Sequence, residues 1–398
     1  MRATGTKKFR SLVGWVVVAV GLVLLPGSPA GAAPVSIDLC AKPGTIDLPG
    51  ASGVPIWGFA LKPADLSATG NTTTDSTTID GIVGVASTAD LLVGMEVGGD
   101  GIVAGSTIVS IVDDATITIT PAANADGLGV TLAFSTPCGH PSVVAKLPGP
   151  QLVVDEGDEV TINVTNALPS ATAPLHTISL EVPGMSFAAG PSDAEVGATV
   201  SRTFTASAPG TYLYQSAGDA GRQEAMGLYG ALIVRSAVPG RAYGPVSSAF
   251  DVQETLVLSA IDPAFNSAPD TFDLNDYLAT YWLINGQAHP DTPAIAATAG
   301  QRLLLRYVNA GFDNTSMMLV GMHQRVVARD AYLLNNPFDA SVETIPAGGT
   351  EDAVAVVPAT APPSSNGFPL FNRNLHVTNG TSSGSSQDPG GMLIFITP

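Results

Sequence analysis

Two stretches of this chain are written to one pattern. LPGPQLVVDEGDEVTINVTNALP (147–169) and DTPAIAATAGQRLLLRYVNAGFD (291–313) each read as proline, apolar strand, glycine turn, alternating strand, asparagine and loop. In the first, Val160, Ile162 and Val164 alternate with polar residues behind Glu156-Gly157-Asp158. In the second, Leu303, Leu305 and Tyr307 do so behind Ala299-Gly300. A period of two buries one face of a strand and wets the other, which a helix cannot use. The two regions also end alike, in GLYGALIV (227–234) and GGMLIFI (390–396). A repeat of this size predicts two copies of one β domain. Strand patterns recur through 147–236 and 252–398 between Gly, Pro and Asp turns, so the chain is expected to be all-β, built of sandwiches. The join falls at Ala237 to Pro245, rich in Gly and Pro. Helical periodicity is scarce, and the one short helix expected covers Leu274 to Trp282.

The first 32 residues read as a secretory signal. Arg2, Lys7, Lys8 and Arg10 precede an apolar run, Leu12 to Leu25, and Ala30-Gly31-Ala32 fits a cleavage site. The run is short for a bilayer span, and no second stretch of that length follows. An uncleaved anchor is the alternative. Cleavage is expected to leave a mature chain without a membrane span, secreted or at the cell surface. Export places the two cysteines, Cys40 and Cys138, in an oxidising compartment, where a disulfide between them is expected.

Charge excludes one class of partner. The chain has 34 acidic and 16 basic residues, a formal charge of −18, so it is no partner for a phosphate backbone and nucleic acid is not expected. Residues 67–135 stand apart. They hold eight acidic residues and no Lys, Arg, His, Cys, Trp or Tyr, with short Thr/Val/Ile runs such as Thr107 to Val112 and Thr116 to Thr120. Such bias also occurs in disordered linkers, but the regular alternation favours a small folded β module inserted into the first domain.

These motifs have a family resemblance. LPGPQLVVDEGDEVTINVTNALPS, PLHTISLEVPG (174–184) and APGTYLYQSAGDAGRQEAMGLYGALIV (208–234) resemble the first cupredoxin domain of multicopper oxidases and copper nitrite reductases. YWLINGQAHPDTPAIAATAGQRLLLRYVNAG (281–311), LVGMHQRVVARD (319–330) and FPLFNRNLHVTNG with PGGMLIFI (368–396) resemble a further domain of that family. The stretch 69–134 separately resembles small β modules of phage tail and other surface proteins. The resemblance implies two Greek-key cupredoxin-like sandwiches, at 33–66 with 136–236 and at 245–398, and a secreted enzyme that couples one-electron oxidation to reduction of oxygen or nitrite through copper.

Copper chemistry needs ligands, and a blue-copper site takes two His, one Cys and a weak axial Met. Where the family carries His and Cys after the strand matching Gly210-Thr211-Tyr212-Leu213-Tyr214, this chain has Gln215 and Ser216. Gln223 stands at the next His position and Leu228 at the axial one. Ser179 and Glu181 replace the Asp and second His of the reductase pattern, and His176 alone remains, a vestigial ligand. In the second domain Met318-Leu319-Val320-Gly321-Met322 replaces a His-x-His-Gly-His shape, and His323 falls one place past it. No Cys occurs near Phe371 to His376. His289 sits in a turn beside Pro290, and His140 precedes the opening strand of the first domain. The family's trinuclear cluster takes eight His, against five in the whole chain.

The expectation is therefore a family member with degenerate copper sites, no catalytic residues, no cofactor or at most copper, and a non-catalytic binding or structural role toward an unknown extracellular partner. The alternative is a copper-dependent oxidoreductase with an unusual ligand set, using His323 and His376 with Met322 or Asp330, or His176 with Glu181. Glu181 and Asp219 are otherwise expected to be solvated or hydrogen-bonded carboxylates. A homo-oligomer, a trimer by analogy with two-domain relatives, is also expected.

Overall fold

The structure, a computed structural model, describes residues 34–85, 90–170, 176–374, 376, 378–380 and 390–398. The expected signal at 1–32 lies outside the described residues. Among the described residues no helix is long and apolar enough to cross a membrane.

The fold is all-β and cupredoxin-like. Two sheets enclose the first core. One is ordered Thr199–Thr205, Glu159–Asn166, Pro34–Leu48, Ala51–Leu61. The other is ordered Asp193–Ala194, Ile178–Glu181, Gly210–Ser216, Tyr229–Arg235, Leu152–Asp155. The alternating residues Val160, Ile162 and Val164 are wholly buried between them, against Phe59, Ile178, Leu180 and Leu232. Burial of such side chains contributes about 1.5–3 kcal/mol each, which is why the period-two pattern specifies a half-buried sheet.

The sequence echo is an echo of wiring. Pro34–Leu48 runs parallel to Glu159–Asn166, and Val252–Ile261 runs parallel to Arg302–Asn309. Leu152–Asp155 runs parallel to Tyr229–Arg235, and Ile295–Ala296 to Leu393–Thr397. The second sandwich thus repeats the crossovers of the first. Its sheets are ordered Tyr281–Ile284, Val252–Ile261, Arg302–Asn309, Thr350–Val356, Gln324–Arg329, Tyr332–Ala340 and Ile295–Ala296, Leu393–Thr397, Phe368–Asn372, Thr315–Leu319, Val342–Ile345. Leu303, Leu305 and Tyr307 fill its core.

Between the strands Ala51–Leu61 and Leu152–Asp155 the chain forms a closed six-stranded barrel. Its order is Leu66–Thr72, Thr78–Val83, Thr116–Thr120, Ser106–Asp113, Glu96–Gly99, Gly127–Ser135. Ile79, Ile108, Ile117, Leu132 and Phe134 make a core of its own. Its first and last strands pair antiparallel, Leu66 opposite Phe134, so the chain enters and leaves at one place. Just below that place Cys40 and Cys138 form the expected disulfide, with Cα atoms 5.6 Å apart. The Lys42 ammonium donates to the carbonyls of Cys138 and Val143 at 2.6 and 2.7 Å, tying the same corner.

The helix expected over Leu274 to Trp282 is not formed. A 3-10 turn occupies Leu274–Asp276, capped by Asp273, and Tyr281–Ile284 is a strand. Tertiary pairing overrides the local pattern: Tyr281 and Trp282 lie opposite Ile261 and Ala260 at the sheet edge.

Candidate functional site

The positions that the resemblance assigns to copper ligands gather at one end of the first sandwich, and the local sequence explains how. Gly210–Ser216 is buried along its length except at Gln215, and because neighbours in a strand face opposite ways, Ser216 turns into the core while Gln215 is half-buried on the other face. A tight turn follows, in which Asp219 and Ala220 take positive φ of 58° and 50°. The helix Arg222–Met226 then ends at Gly227, with φ 119°. Only glycine fits there, because a Cβ would lie 2.4 Å from Leu147 Cδ1 and 2.7 Å from the Trp57 carbonyl. That turn swings Gln223 back onto Ser216.

Ser216 and Gln223 are fully buried. The Ser216 hydroxyl donates to Gln223 Oε1 at 2.5 Å, and Gln223 Nε2 donates to the Thr177 carbonyl at 2.9 Å. The Ser179 N–H reaches Ser216 Oγ at 3.3 Å. Leu228 is buried with Met226 in the apolar core beside them. A buried hydroxyl and amide must be hydrogen-bonded, and these two satisfy each other.

His176 is 2% exposed. Its Nδ1 lies 2.7 Å from the Pro169 carbonyl and its Nε2 2.9 Å from Asp270 Oδ1, while Trp57 packs on its ring at 4.6 Å. Both ring nitrogens face oxygen, so neither is turned to a metal. Asp270 comes from the second half of the chain, on the segment that follows Val252–Ile261. Arg222 Nη1 donates to the carbonyls of Pro269 and Phe272 at 2.5 and 2.9 Å. Phe265 sits in the first core and stacks edge-on with Phe272 and Tyr277, each at 5.6 Å. Residues 262–280 therefore strap the end of the first sandwich shut. Sequence reasoning missed Asp270, Arg222 and this strap. The one available signal was the cluster of Phe265, Phe272 and Tyr277, aromatic residues with no strand period.

Carboxylates crowd the same end. Burial pushes Glu224 up to about 7, and the nearby charges of Glu181 and Asp219 push the same way. Burial also raises Asp219, against the opposing effect of Arg222. Glu224 Oε2 and Asp219 Oδ2 are buried without a hydrogen-bond partner among the described residues.

In the second sandwich the candidates are dispersed. His323 is exposed, with Nδ1 3.0 Å from Ser341 Oγ. His376 stacks on Trp282 at 3.9 Å, faces the Asn372 amide at 3.3 Å, and is pushed down by burial. Met322 belongs to the apolar core. Asp330 Oδ1 accepts the Thr350 N–H at 2.9 Å and shapes a hairpin. Among the described residues these four share no partner. His289 is also pushed down by burial. His140 bridges Ser142 and the Val93 carbonyl, at 2.7 and 2.8 Å, and so fastens the barrel to its base. Among the described residues no three His, Cys, Asp or Glu side chains are grouped to hold a metal ion.

Comparison with known proteins gives consistent results. Residues 139–238 match the family model of multicopper oxidases. Copper resistance protein A of Pseudomonas syringae pv. tomato is 40% identical over 99 residues, which is 23% of this chain but only 15% of that protein. The blue copper oxidase of Nitrosomonas europaea has a similar structure, with a TM-score of 0.60 at 17% identity, covering 91% of this chain and 85% of that one. The multicopper oxidase mgLAC matches with a TM-score of 0.59 at 17% identity, covering 92% and 88%. At such identities the structural likeness shows the fold alone.

Proposed function

We propose that this chain, a member of the multicopper oxidase family through its domain at 139–238, is an exported binding or structural protein whose copper sites have been replaced. The observation that carries the reading is the Ser216–Gln223 hydrogen bond. Where the resemblance calls for a thiolate and an imidazole, a hydroxyl and an amide close on each other at 2.5 Å with no exposure. Copper in such a site is held by a soft thiolate and imidazole nitrogens. Ser216, Gln223 and Leu228 offer a neutral hydroxyl, a neutral amide and an alkyl group, so the residues present do not fit the metal. Both cysteines are joined in the disulfide and neither supplies a thiolate. The fifth of the five histidines in sequence order, His376, is taken up by Trp282 and Asn372.

What the arrangement does is mechanical. His176, Arg222 and Phe265 fasten the strap, and the sandwich end that serves redox chemistry in the family becomes a junction between domains. Export is part of the proposal and rests on the leader pattern at 1–32 with the extracytoplasmic chemistry of a disulfide.

The test is copper loading of the purified mature chain, followed by dialysis, metal analysis and visible absorbance. Substoichiometric copper and no intense thiolate-to-copper band are expected. One tightly held copper per chain with such a band overturns the reading.

A further inference from the structure

The outer face of the second sandwich carries a groove of about 520 Å³ that the strapped end does not touch. Strand register builds its floor. Arg302 lies opposite Val356, Val354 opposite Arg325, and Arg325 opposite Asp339. Directly paired residues project from the same face, so Arg302, Val356, Val354 and Arg325 line one side of the sheet. The residues that alternate with Val354 and Val356, Ala353 and Ala355, point into the core and are fully buried. The connection between the sandwiches covers part of the outer face with Ala242, Tyr243 and Phe250. It stops short of the rest: Val246 and Val356 remain 70% and 56% exposed. The groove lies between the turn Val246–Ser248 and the loop that carries Met322 and His323.

Its polar groups are two arginines and a histidine. In a protein of formal charge −18, Arg302, Arg325 and His323 gather at one groove, with Asp251 and Asp339 as the carboxylate partners of the two guanidiniums. Arg302 holds Asp251 through Nε and Nη2, at 3.0 and 2.7 Å, which leaves Nη1. Arg325 reaches Asp339 through a single nitrogen at 3.3 and 3.4 Å, and both side chains are about half exposed. An ion pair of that kind contributes little, so Asp339 is a weak competitor for a well-placed carboxylate. His323 uses Nδ1 on Ser341, and Nε2 has no hydrogen-bond partner among the described residues. The apolar lining is alkyl: Met322, Val246, Val354, Val356 and Pro358, with no aromatic ring. Such walls suit a chain of methylenes rather than a stacked ring.

We infer that this groove binds an aliphatic carboxylate, with its head on Arg325 and His323 and its chain along Val354 and Val356. A guanidinium matches a carboxylate with two parallel N–H donors. The volume lies within the range of small-molecule sites, and a few charged groups over an apolar floor are the usual composition of one. The inference deepens the reading of the chain as a binding protein and rests on it for its biological sense.

The test is calorimetric titration of the full chain, stripped of metal by chelation, with octanoate. Saturable binding to one site is expected, with 1-octanol and octyltrimethylammonium at least tenfold weaker. Arg325→Gln is expected to weaken octanoate at least tenfold. Val356→Glu sets a carboxylate in the groove at an exposed position that the fold tolerates, and is expected to abolish binding. Circular dichroism of both variants is expected to match the parent. Octanoate that does not saturate, that binds no better than octanol, or that binds both variants as it binds the parent overturns the inference. Copper titration of the same samples answers the other question separately. Tight stoichiometric copper overturns the binding-protein reading and leaves the octanoate result standing.

Discussion

Thr211 of the first sandwich donates a 2.6 Å hydrogen bond to Asp352 of the second, and both are buried. The second oxygen of Asp352 accepts from Tyr243 at 2.6 Å, on the connection between the domains, and from Arg306 at 3.4 Å. Arg306 Nη1 also donates to Thr211 Oγ1 at 2.9 Å. Arg306 and Asp352 are each 2% exposed, so their charges are compensated almost wholly by this network. Removing one partner leaves a buried charge unpaired, which costs about 3–5 kcal/mol. Asp352→Ala is expected to lower the unfolding free energy of the sandwich pair by that amount, as read from denaturant unfolding followed by tryptophan fluorescence. A loss under about 1 kcal/mol, the worth of an exposed pair, contradicts the network's role.

The disulfide closes a loop of 98 residues in sequence separation and holds the base on which the barrel stands. Cross-linking restricts the unfolded chain most when the loop is long, and native disulfides typically contribute about 2–4 kcal/mol. Replacing Cys40 and Cys138 by Ser is expected to reduce stability by that amount. Peptide mass spectrometry without reductant is expected to show the two cysteines linked, and two freely alkylated thiols would contradict it.

Because Leu66 and Phe134 face each other, a few residues suffice to bridge the barrel's two ends. Among the described residues the barrel's core shares no side chain with the cores of the sandwiches. Replacing 67–135 by a short Gly/Ser linker is therefore expected to leave a cooperative unfolding transition for the remainder. Loss of that transition places the segment within the folding unit.

Alternation at Val160–Val164 and Leu303–Tyr307 made the all-β class legible, because burial with a period of two is a local property of the chain. The pairing of Cys40 with Cys138 was legible for a different reason: a chain with two cysteines has one intramolecular disulfide to make. Local pattern failed at Leu274 to Trp282, where the sheet edge at Ile261 claims Tyr281. It was silent on His176 with Asp270, 94 positions apart, and on Thr211 with Asp352, 141 apart. Such contacts follow from how the two sandwiches dock, and a single sequence carries no period that reports docking. Ser216 and Gln223 were visible as residue types. That they hydrogen-bond to each other needed the turn at Asp219 and Ala220, whose positive φ no propensity foretells.

Glu224 gives the strapped end a pH dependence with a definite sign. Burial raises its carboxyl from 4.5 to about 7 in the folded chain. Between those values the folded state keeps a proton that the unfolded state has released. Its stabilising effect is complete below about pH 4.5 and is lost as pH rises through about 7, with a slope of up to about 1.4 kcal/mol per pH unit from this one group. Glu224→Gln cannot ionise and is expected to flatten that part of the profile. The measurement is the denaturation midpoint of parent and variant at intervals from pH 4.5 to 8. Parallel profiles would show that Glu224 does not carry the effect.

The sharpest test of the proposal that Ser216 and Gln223 stand where copper ligands would is to install those ligands. Ser216→Cys with Gln223→His places a thiol and an imidazole at the positions that share the 2.5 Å bond. It does not supply the rest of the set. Leu228 offers no sulfur at the axial position, and His176 stays turned to Pro169 and Asp270. The strap closes the end through Arg222, Pro269 and Phe272, which leaves little room for side chains to rearrange around an ion. The double variant is expected to lose stability, since the hydrogen bonds to Thr177 and Ser179 go with the hydroxyl and amide, each worth about 1 kcal/mol or more when a buried partner is left unmet. It is expected to remain colourless with copper. Adding Leu228→Met and Asp270→Ala, which frees His176 Nε2, completes a two-His, Cys, Met donor set, and visible colour is expected only there. A blue double variant would mean that Leu228 and Asp270 do not exclude copper, and that two substitutions alone separate this chain from a metal-binding one.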